Sequence, residues 1–248
     1  MILEIDMGNT RMKWRLRDRQ TKLIQGALGV EESLDLLADK IDPYRREISV
    51  VAVASVVGPA LEQNLIDWSF ANLALRPLFA RSGVACGMVR NGYREVQTLG
   101  VDRWLGMIAA FKLAKKACVV VSCGTAITLD LVAQDGEHLG GFIAPGLNLM
   151  LDSLTSGTRQ IKLSQPMPGL ELSPGTTTSN AVFSACSAML MGLIDNGVRQ
   201  LCKDELNPEF QMVFTGGDAS KLLPFYPMAR LVPDLVLDGL GCVLEYPQ

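Results

Sequence analysis

The sequence predicts an α/β fold in which one layout occurs twice, and two observations carry this. In the first half an apolar strand over 2–5 runs into Asp6-Met7-Gly8-Asn9-Thr10 and a second strand over 12–16; in the second half a strand over 118–121 runs into Ser122-Cys123-Gly124-Thr125-Ala126 and a second strand over 127–132. Each half then reaches a further buried strand that ends in a small-residue turn, Ser55-Val56-Val57-Gly58 in one and Thr215-Gly216-Gly217-Asp218 in the other, with a helix to follow. The 248 residues are 48% hydrophobic and 20% charged, enough for one large or two small globular domains. The repeat divides them into 1–114 and 115–248, each presenting a glycine turn from strand ends, where ligands of α/β sheets bind.

Taken in order, the apolar residues of 2–5 and 12–16 form two strands around a glycine turn. Leu34, Leu37 and Ile41 lie at helical spacing within 31–41. The run 49–56 is β-branched and Ala-rich, a buried strand that Gly58-Pro59 ends, and Pro59 suits the first turn of a helix over 60–71. A second helix covers 101–114. After the strands 118–121 and 127–132, Gly136 turns the chain toward Phe142-Ile143, and a helix covers 147–154. The polar, Pro-containing stretch 155–177 reads as loop, 179–198 as a long Ala/Met-rich helix, 211–214 as a strand and 235–246 as a closing helix.

Composition excludes several functions. The net charge is −3 and the pI about 5.3, without the basic stripe of a nucleic-acid binder; Lys112, Lys115 and Lys116 read as the solvated face of a helix. The six cysteines form no C-x-x-C pair, and with His138 as the single histidine they leave no structural zinc site. A Ser-His-Asp triad would need His138, whose Gly136-Glu137-His138 setting reads as a hairpin tip. Glu4 and Asp6 interrupt the first apolar run, unlike a signal peptide, and the longest apolar stretch, 48–57, is about half a membrane span. The expected setting is cytoplasmic, with reduced thiols and neither membrane nor nucleic acid as partner.

The turn chemistry is more specific. A glycine lets backbone approach an anion and donate N–H groups to it, an acid at a strand tip can hold Mg2+, and Lys13 can add a positive charge. On 6–13 alone, a hairpin turn and a phosphate loop are equal readings. There is no G-x-x-x-x-G-K-[ST] and no G-x-G-x-x-G after the first strand, which excludes the P-loop and the Rossmann dinucleotide site.

This arrangement resembles the acetate and sugar kinase, Hsp70 and actin superfamily, whose members bind ATP in a cleft between two duplicated ribonuclease-H-like domains. Within it, the whole chain is similar to the short type III pantothenate kinases, which use ATP to phosphorylate pantothenate at the start of coenzyme A synthesis. Asp6-Met7-Gly8-Asn9-Thr10 resembles the family's D-x-G-N-T loop. The resemblance implies that Asp6, Met7, Gly8, Asn9, Thr10, Arg11, Met12 and Lys13 line the ATP phosphates, with Asp6 on Mg2+. Tyr93 followed by Gly100-Val101-Asp102-Arg103 resembles the element that binds pantothenate and supplies the catalytic acid residue. A carboxylate such as Asp102 can take the proton of an attacking alcohol, and Arg103 can fork onto the pantothenate carboxylate. Read alone, Asp102 is an ordinary helix N-cap beside a surface arginine.

Ser122-Cys123-Gly124-Thr125-Ala126 departs from the family's D-x-G-T-A. The family's Asp anchors a monovalent cation, K+ or NH4+, and Ser122 offers only a hydroxyl there; Thr125 matches a phosphate contact. Gly140-Gly141-Phe142-Ile143-Ala144-Pro145-Gly146 resembles G-G-x-I-x-P-G. In Gly175-Thr176-Thr177-Thr178, Thr178 matches the threonine that binds pantothenate, and a helix N-cap is the ordinary role there. Gly216 and Gly217 match an adenosine-side T-G-G-x-A. A homodimer is a further implication. Two other functions fit the same turns: a non-catalytic nucleotide-binding regulator, and a kinase of another small alcohol.

Overall fold

The computed structural model describes residues 1–19, 21–163, 169–203 and 209–244. The chain forms two compact units: Met1–Gly87, Tyr93–Ala109 and Asp234–Gln248 make the first, Met88–Gly92 and Ala110–Pro233 the second.

The first unit is built on a five-stranded mixed sheet of β1 (Ile2–Met7), β2 (Arg11–Asp18), β3 (Thr21–Gly29), β4 (Val50–Ser55) and β5 (Leu78–Phe79), in the order β3-β2-β1-β4-β5. The strands β1, β2 and β3 pair antiparallel, whereas β4 runs parallel to both β1 and β5. Alternation along β1 decides what each face does. Leu3, Ile5 and Met7 stand opposite Leu16, Trp14 and Met12 and bury against Leu37, Ile41, Leu65 and Trp68 of the helices α1 (Asp35–Ile41) and α2 (Pro59–Leu73). Glu4 and Asp6 lie on the other face with Arg15 and Lys13 as their cross-strand partners. On that face Ala54 packs with Val101 and Leu105 of α3 (Val101–Ala114) and with Leu237 and Leu240 of α6 (Leu235–Val243). A Cβ on Gly239 would stand 2.3 Å from the Leu105 carbonyl oxygen, so only glycine lets α6 lie this close to α3.

Two short strands follow β5 in sequence, β6 (Ala85–Cys86) and β7 (Val89–Arg90). The second unit repeats the first sheet. Its strands β8 (Ala117–Cys123), β9 (Ala126–Val132), β10 (His138–Pro145), β11 (Phe210–Thr215) and β12 (Arg230–Leu231) lie in the order β10-β9-β8-β11-β12, with the same antiparallel and parallel pairings. Val119, Val121, Ile127 and Leu129 bury against α4 (Leu147–Gly157) and α5 (Thr178–Leu201). The expected Ala/Met-rich helix over 179–198 is α5, which extends from Thr178 to Leu201 and is longer than the apolar run 48–57. It is 24 residues long, and its most apolar window is long and apolar enough to cross a membrane by length and composition alone. Half of that window is buried, and Val182, Phe183, Cys186, Leu190 and Ile194 fill the core of the second unit.

Several expectations need correction. The first strand does not stop at Ile5 but continues through Met7, so Asp6 belongs to the sheet rather than to the turn. Helix α1 starts at Asp35 rather than at residue 31, because Glu32 closes a turn onto the Gly29 carbonyl. Residues 155–157 extend α4 instead of opening a loop. Helix α6 ends at Val243, and residues 245–246 of the expected closing helix lie outside the described residues.

Candidate functional site

The β1–β2 turn is tight: the Gly8 N–H donates to the Arg11 carbonyl at 3.0 Å, and a Cβ on Gly8 would stand 3.1 Å from that oxygen. Asn9, Thr10 and Arg11 are exposed, Met7 and Met12 are buried, and Lys13 lies opposite Asp6. Two acids share this face of β1 and differ in environment. Glu4 is fully buried, yet it accepts from Arg15 Nε and, at 2.8 Å, from Arg17 Nε. Asp6 has a single lysine opposite it. Burial pushes its carboxyl up to about 7; the Lys13 ammonium opposes the rise and the Asp102 carboxylate adds to it. Such a carboxyl fits Mg2+, which takes one or two protein carboxylates and completes its shell with phosphate oxygens and water.

Asp102 reaches this neighbourhood from α3. The Gly100 carbonyl accepts the Trp104 N–H at 3.0 Å, so Gly100 caps the helix, and Asp102 stands in the first turn rather than at the N-cap. The Asp102 carboxylate folds back over Gly100, with Oδ1 2.6 Å from where a Cβ on that glycine would be. Val101 is buried in the α3–α6 core. Arg103 is no surface arginine: it is 7% exposed, donates from Nη1 to Tyr93 Oη at 2.7 Å, and has its guanidinium carbon 5.5 Å from the Tyr93 ring centre. The first unit thus brings together Asp6, Lys13 and Asp102, and separately joins Tyr93 to Arg103.

In the second unit three loops converge at the end of β8. The Gly124 N–H donates to Ala126 O at 3.0 Å, Gly146 N–H to Thr125 O at 2.9 Å, and Asp218 N–H to Cys123 O at 3.1 Å. A Cβ on Gly146 would stand 2.3 Å from Gly124 O, and one on Gly216 2.3 Å from Cys123 O, so the close approach of these loops requires both glycines. A cavity of about 20 Å³ lies among Cys123, Gly124, Gly146, Leu147, Asp218 and Lys221. Thr125 and Gly217, next in sequence to Gly124 and Asp218, are exposed. The motif 140–146 runs along β10 and ends at Gly146, the cap of α4. Thr178 is the first residue of α5 and exposed, while the neighbouring Thr177 caps the helix by accepting from Asn180 N–H at 3.2 Å.

Ser122 pairs with Thr128 on β9 and Thr215 on β11, which places three hydroxyls side by side on one face. The next polar group along that face, Asp130, is buried and bound to His138 Nε2 at 3.1 Å. His138 is therefore no exposed hairpin tip but the buried first residue of β10. Ser122 thus presents a hydroxyl, with hydroxyls on both sides, where the family has a carboxylate. Sequence reasoning missed the Glu4–Arg15–Arg17 cluster, although a lone acid inside Ile2-Leu3-Glu4-Ile5 signals a buried pair.

Two mixed sheets of identical strand order, each with a glycine turn at its central strands, define the duplicated fold of the acetate and sugar kinase, Hsp70 and actin superfamily. The fold is shared with a solved Baf family protein from Campylobacter jejuni, described as a transcriptional activator (TM-score 0.59, 21% identity, 97% of this chain and 96% of that one). It is also shared with the activator of the 2-hydroxyisocaproyl-CoA dehydratase from Clostridium difficile with bound ADPNP (TM-score 0.50, 13% identity, 98% of this chain and 92% of that one). The family model for type III pantothenate kinase matches residues 2–200. Type III pantothenate kinases from Ectopseudomonas mendocina (97% of this chain, 98% of the relative) and Pseudomonas aeruginosa (99% and 100%) are each 38% identical to it. The chain belongs to the type III pantothenate kinase family.

Proposed function

We propose that the protein transfers the γ-phosphoryl group of ATP to the primary hydroxyl of pantothenate, the step that opens coenzyme A synthesis. One observation carries the chemistry: Asp6 near the end of β1 and Asp102 in the first turn of α3 share one neighbourhood, where burial chiefly raises the Asp6 carboxyl and the Asp102 charge adds to the rise. Asp102 accepts the hydroxyl proton as the alcohol oxygen attacks the γ-phosphorus. The new O–P bond forms as the bond from that phosphorus to the bridging oxygen breaks, and ADP leaves with the electron pair. Asp6 would hold Mg2+, which when bound neutralises charge on the β- and γ-phosphate oxygens.

The exposed Gly8–Thr10 turn, with the rest of the 6–13 segment and Thr125, cradles phosphates, and Gly216 and Gly217 receive the adenosine. Tyr93, Gly100, Val101, Arg103 and Thr178 hold pantothenate; the largely buried Arg103 guanidinium is a strong partner for its carboxylate. A monovalent cation, K+ or NH4+, belongs to this reading as well: Ser122 is a weaker anchor than a carboxylate, and backbone carbonyls and neighbouring groups would hold most of the ion. The protein acts in the cytoplasm as a homodimer, and the exposed Ala185, Ala188, Met189 and Gly192 on one face of α5 suit a second copy. The test is ADP release from MgATP with and without pantothenate. Pantothenate-dependent release supports the reading, release with another alcohol alone reassigns the acceptor, and no release with any alcohol favours a nucleotide-binding regulator.

A further inference from the structure

Residues 88–92 belong to the second unit, while Gly87 and Tyr93 on either side belong to the first. Within the second unit this short segment meets the β9–β10 hairpin at Met88, Arg90 and Gly92. The Arg90 main-chain N–H donates to Gly136 O at 2.9 Å. Its guanidinium donates from Nε to Glu137 Oε2 at 2.8 Å, from Nη2 to Asp135 Oδ2 at 2.8 Å and from Nη1 to Asp135 O at 3.3 Å. A parallel bridge joins Arg90 to Glu137, and Val89 beside it is 2% exposed.

Both ends of the segment are closed by backbone approaches that exclude a side chain. Gly136 has φ +85°, and a Cβ on it would stand 2.1 Å from Met88 O; a Cβ on Gly92 would stand 1.8 Å from His138 O. The hairpin is firm at this point, since the His138 ring is buried and bound to Asp130. Tyr93 follows Gly92 directly, one peptide bond beyond the fastened segment. Its hydroxyl accepts from Arg103, so the backbone entering Tyr93 bears on where the Tyr93–Arg103 pair stands.

Fold stability does not account for this set of bonds. The Arg90 side chain is 48% exposed and that of Asp135 68%, and exposed ion pairs add little to stability. A guanidinium forked across two carboxylates is valuable for direction instead. The Glu137 N–H and the Arg90 charge hold the Asp135 carboxyl below its usual range, so the fork stays charged through neutral pH.

We propose that Arg90 is a positioning residue for the acceptor alcohol: its clamp on the β9–β10 hairpin fixes the backbone that delivers Tyr93, and through Tyr93 the Arg103 guanidinium. The inference rests on the reading that Tyr93 and Arg103 hold pantothenate. Its test is steady-state kinetics on Arg90→Ala, Arg90→Lys, the double variant Asp135→Asn/Glu137→Gln, the combination of Arg90→Ala with that double, and Tyr93→Phe. Arg90→Ala should raise KM for pantothenate about tenfold while KM for ATP, kcat and the melting temperature stay near wild type. Arg90→Lys should recover only part of the loss, because an ammonium does not fork. Adding Arg90→Ala to the carboxylate double should cost nothing further.

If Tyr93→Phe raises KM for pantothenate but Arg90→Ala leaves it within about twofold of wild type, the clamp has no positioning role and the functional reading stands. A joint fall of kcat, ATP affinity and melting temperature in Arg90→Ala marks the clamp as merely structural and overturns the inference as well. A wild-type protein without pantothenate-dependent ADP release overturns both the reading and the inference.

Discussion

Replacing Asp6 by Asn should stabilise the empty protein while abolishing its activity. The carboxyl titrates near 3.8 in the unfolded chain and is pushed up to about 7 in the fold, chiefly by burial. Well below pH 3.8 the group is protonated in both states and has no effect. As pH rises from there the unfolded chain releases the proton first, so stability falls until the folded carboxyl also ionises near pH 7. Above that the penalty is constant, and a difference of about three pH units corresponds to about 4 kcal/mol. Asp6 keeps some access to solvent, so this is an upper bound. Asn keeps the shape without the charge, and for a chain of this size the bound corresponds to a gain of about 8–15 °C in melting temperature at pH 8.

The assay is thermal melting of wild type and Asp6→Asn without nucleotide at pH 5 and pH 8, repeated with MgATP. The variant should melt higher at pH 8, and the gap should shrink at pH 5 as the wild-type carboxyl becomes protonated. MgATP should raise the wild type more than the variant, because the ionised carboxyl then has the cation it was missing. A variant that melts lower than wild type at pH 8, or a gap that does not change with pH, refutes the claim that Asp6 is an under-compensated charge kept for a ligand.

Asp102→Asn should retain its melting temperature and nucleotide affinity and lose about 10²–10⁴ in kcat, as loss of a positioned base does; near-normal turnover removes Asp102 from that role. Ser122→Asp should lower the K+ concentration needed for half-maximal turnover about tenfold or more, because a carboxylate anchors a cation more strongly than a hydroxyl, and an unchanged K+ response would contradict the placement of the ion beside Ser122. Gly216→Ala should destabilise the second unit by about 2–4 kcal/mol in chemical denaturation, because φ is +95° and its Cβ would stand 2.3 Å from Cys123 O. A melting profile like wild type would contradict that contact.

What the sequence revealed follows from which signals are local. The strand–turn–strand unit was legible twice because alternation in β1 and β2, and the apolar run of β8, belong to central strands with at least one face in a core. The edge strand β3 was not legible, because none of its nine residues is buried and Gly26 packs under Trp14, where a side chain would meet the ring within 2.8 Å. The Arg90 clamp was hidden for another reason: its partners Asp135 and Glu137 lie 45 and 47 residues away, and no local pattern announces a fork over that distance.

The glycines of the motifs show where sequence reading stops. Spacing alone treats Gly124, Gly146, Gly216 and Gly217 alike, as turn residues. Structure separates them. Gly146 and Gly216 are demanded by backbone of the second unit itself, at 2.3 Å in each case. A Cβ on Gly124 would meet nothing nearer than 3.7 Å, and one on Gly217 nothing within 4 Å. Packing does not explain why these two exposed positions lack side chains. They border the loops around Thr125 and Asp218, and a bare backbone there leaves room for a ligand approaching from outside. The fold therefore accounts for Gly146 and Gly216 and gives no packing reason for Gly124 and Gly217, for which the proposed approach of a nucleotide would supply one.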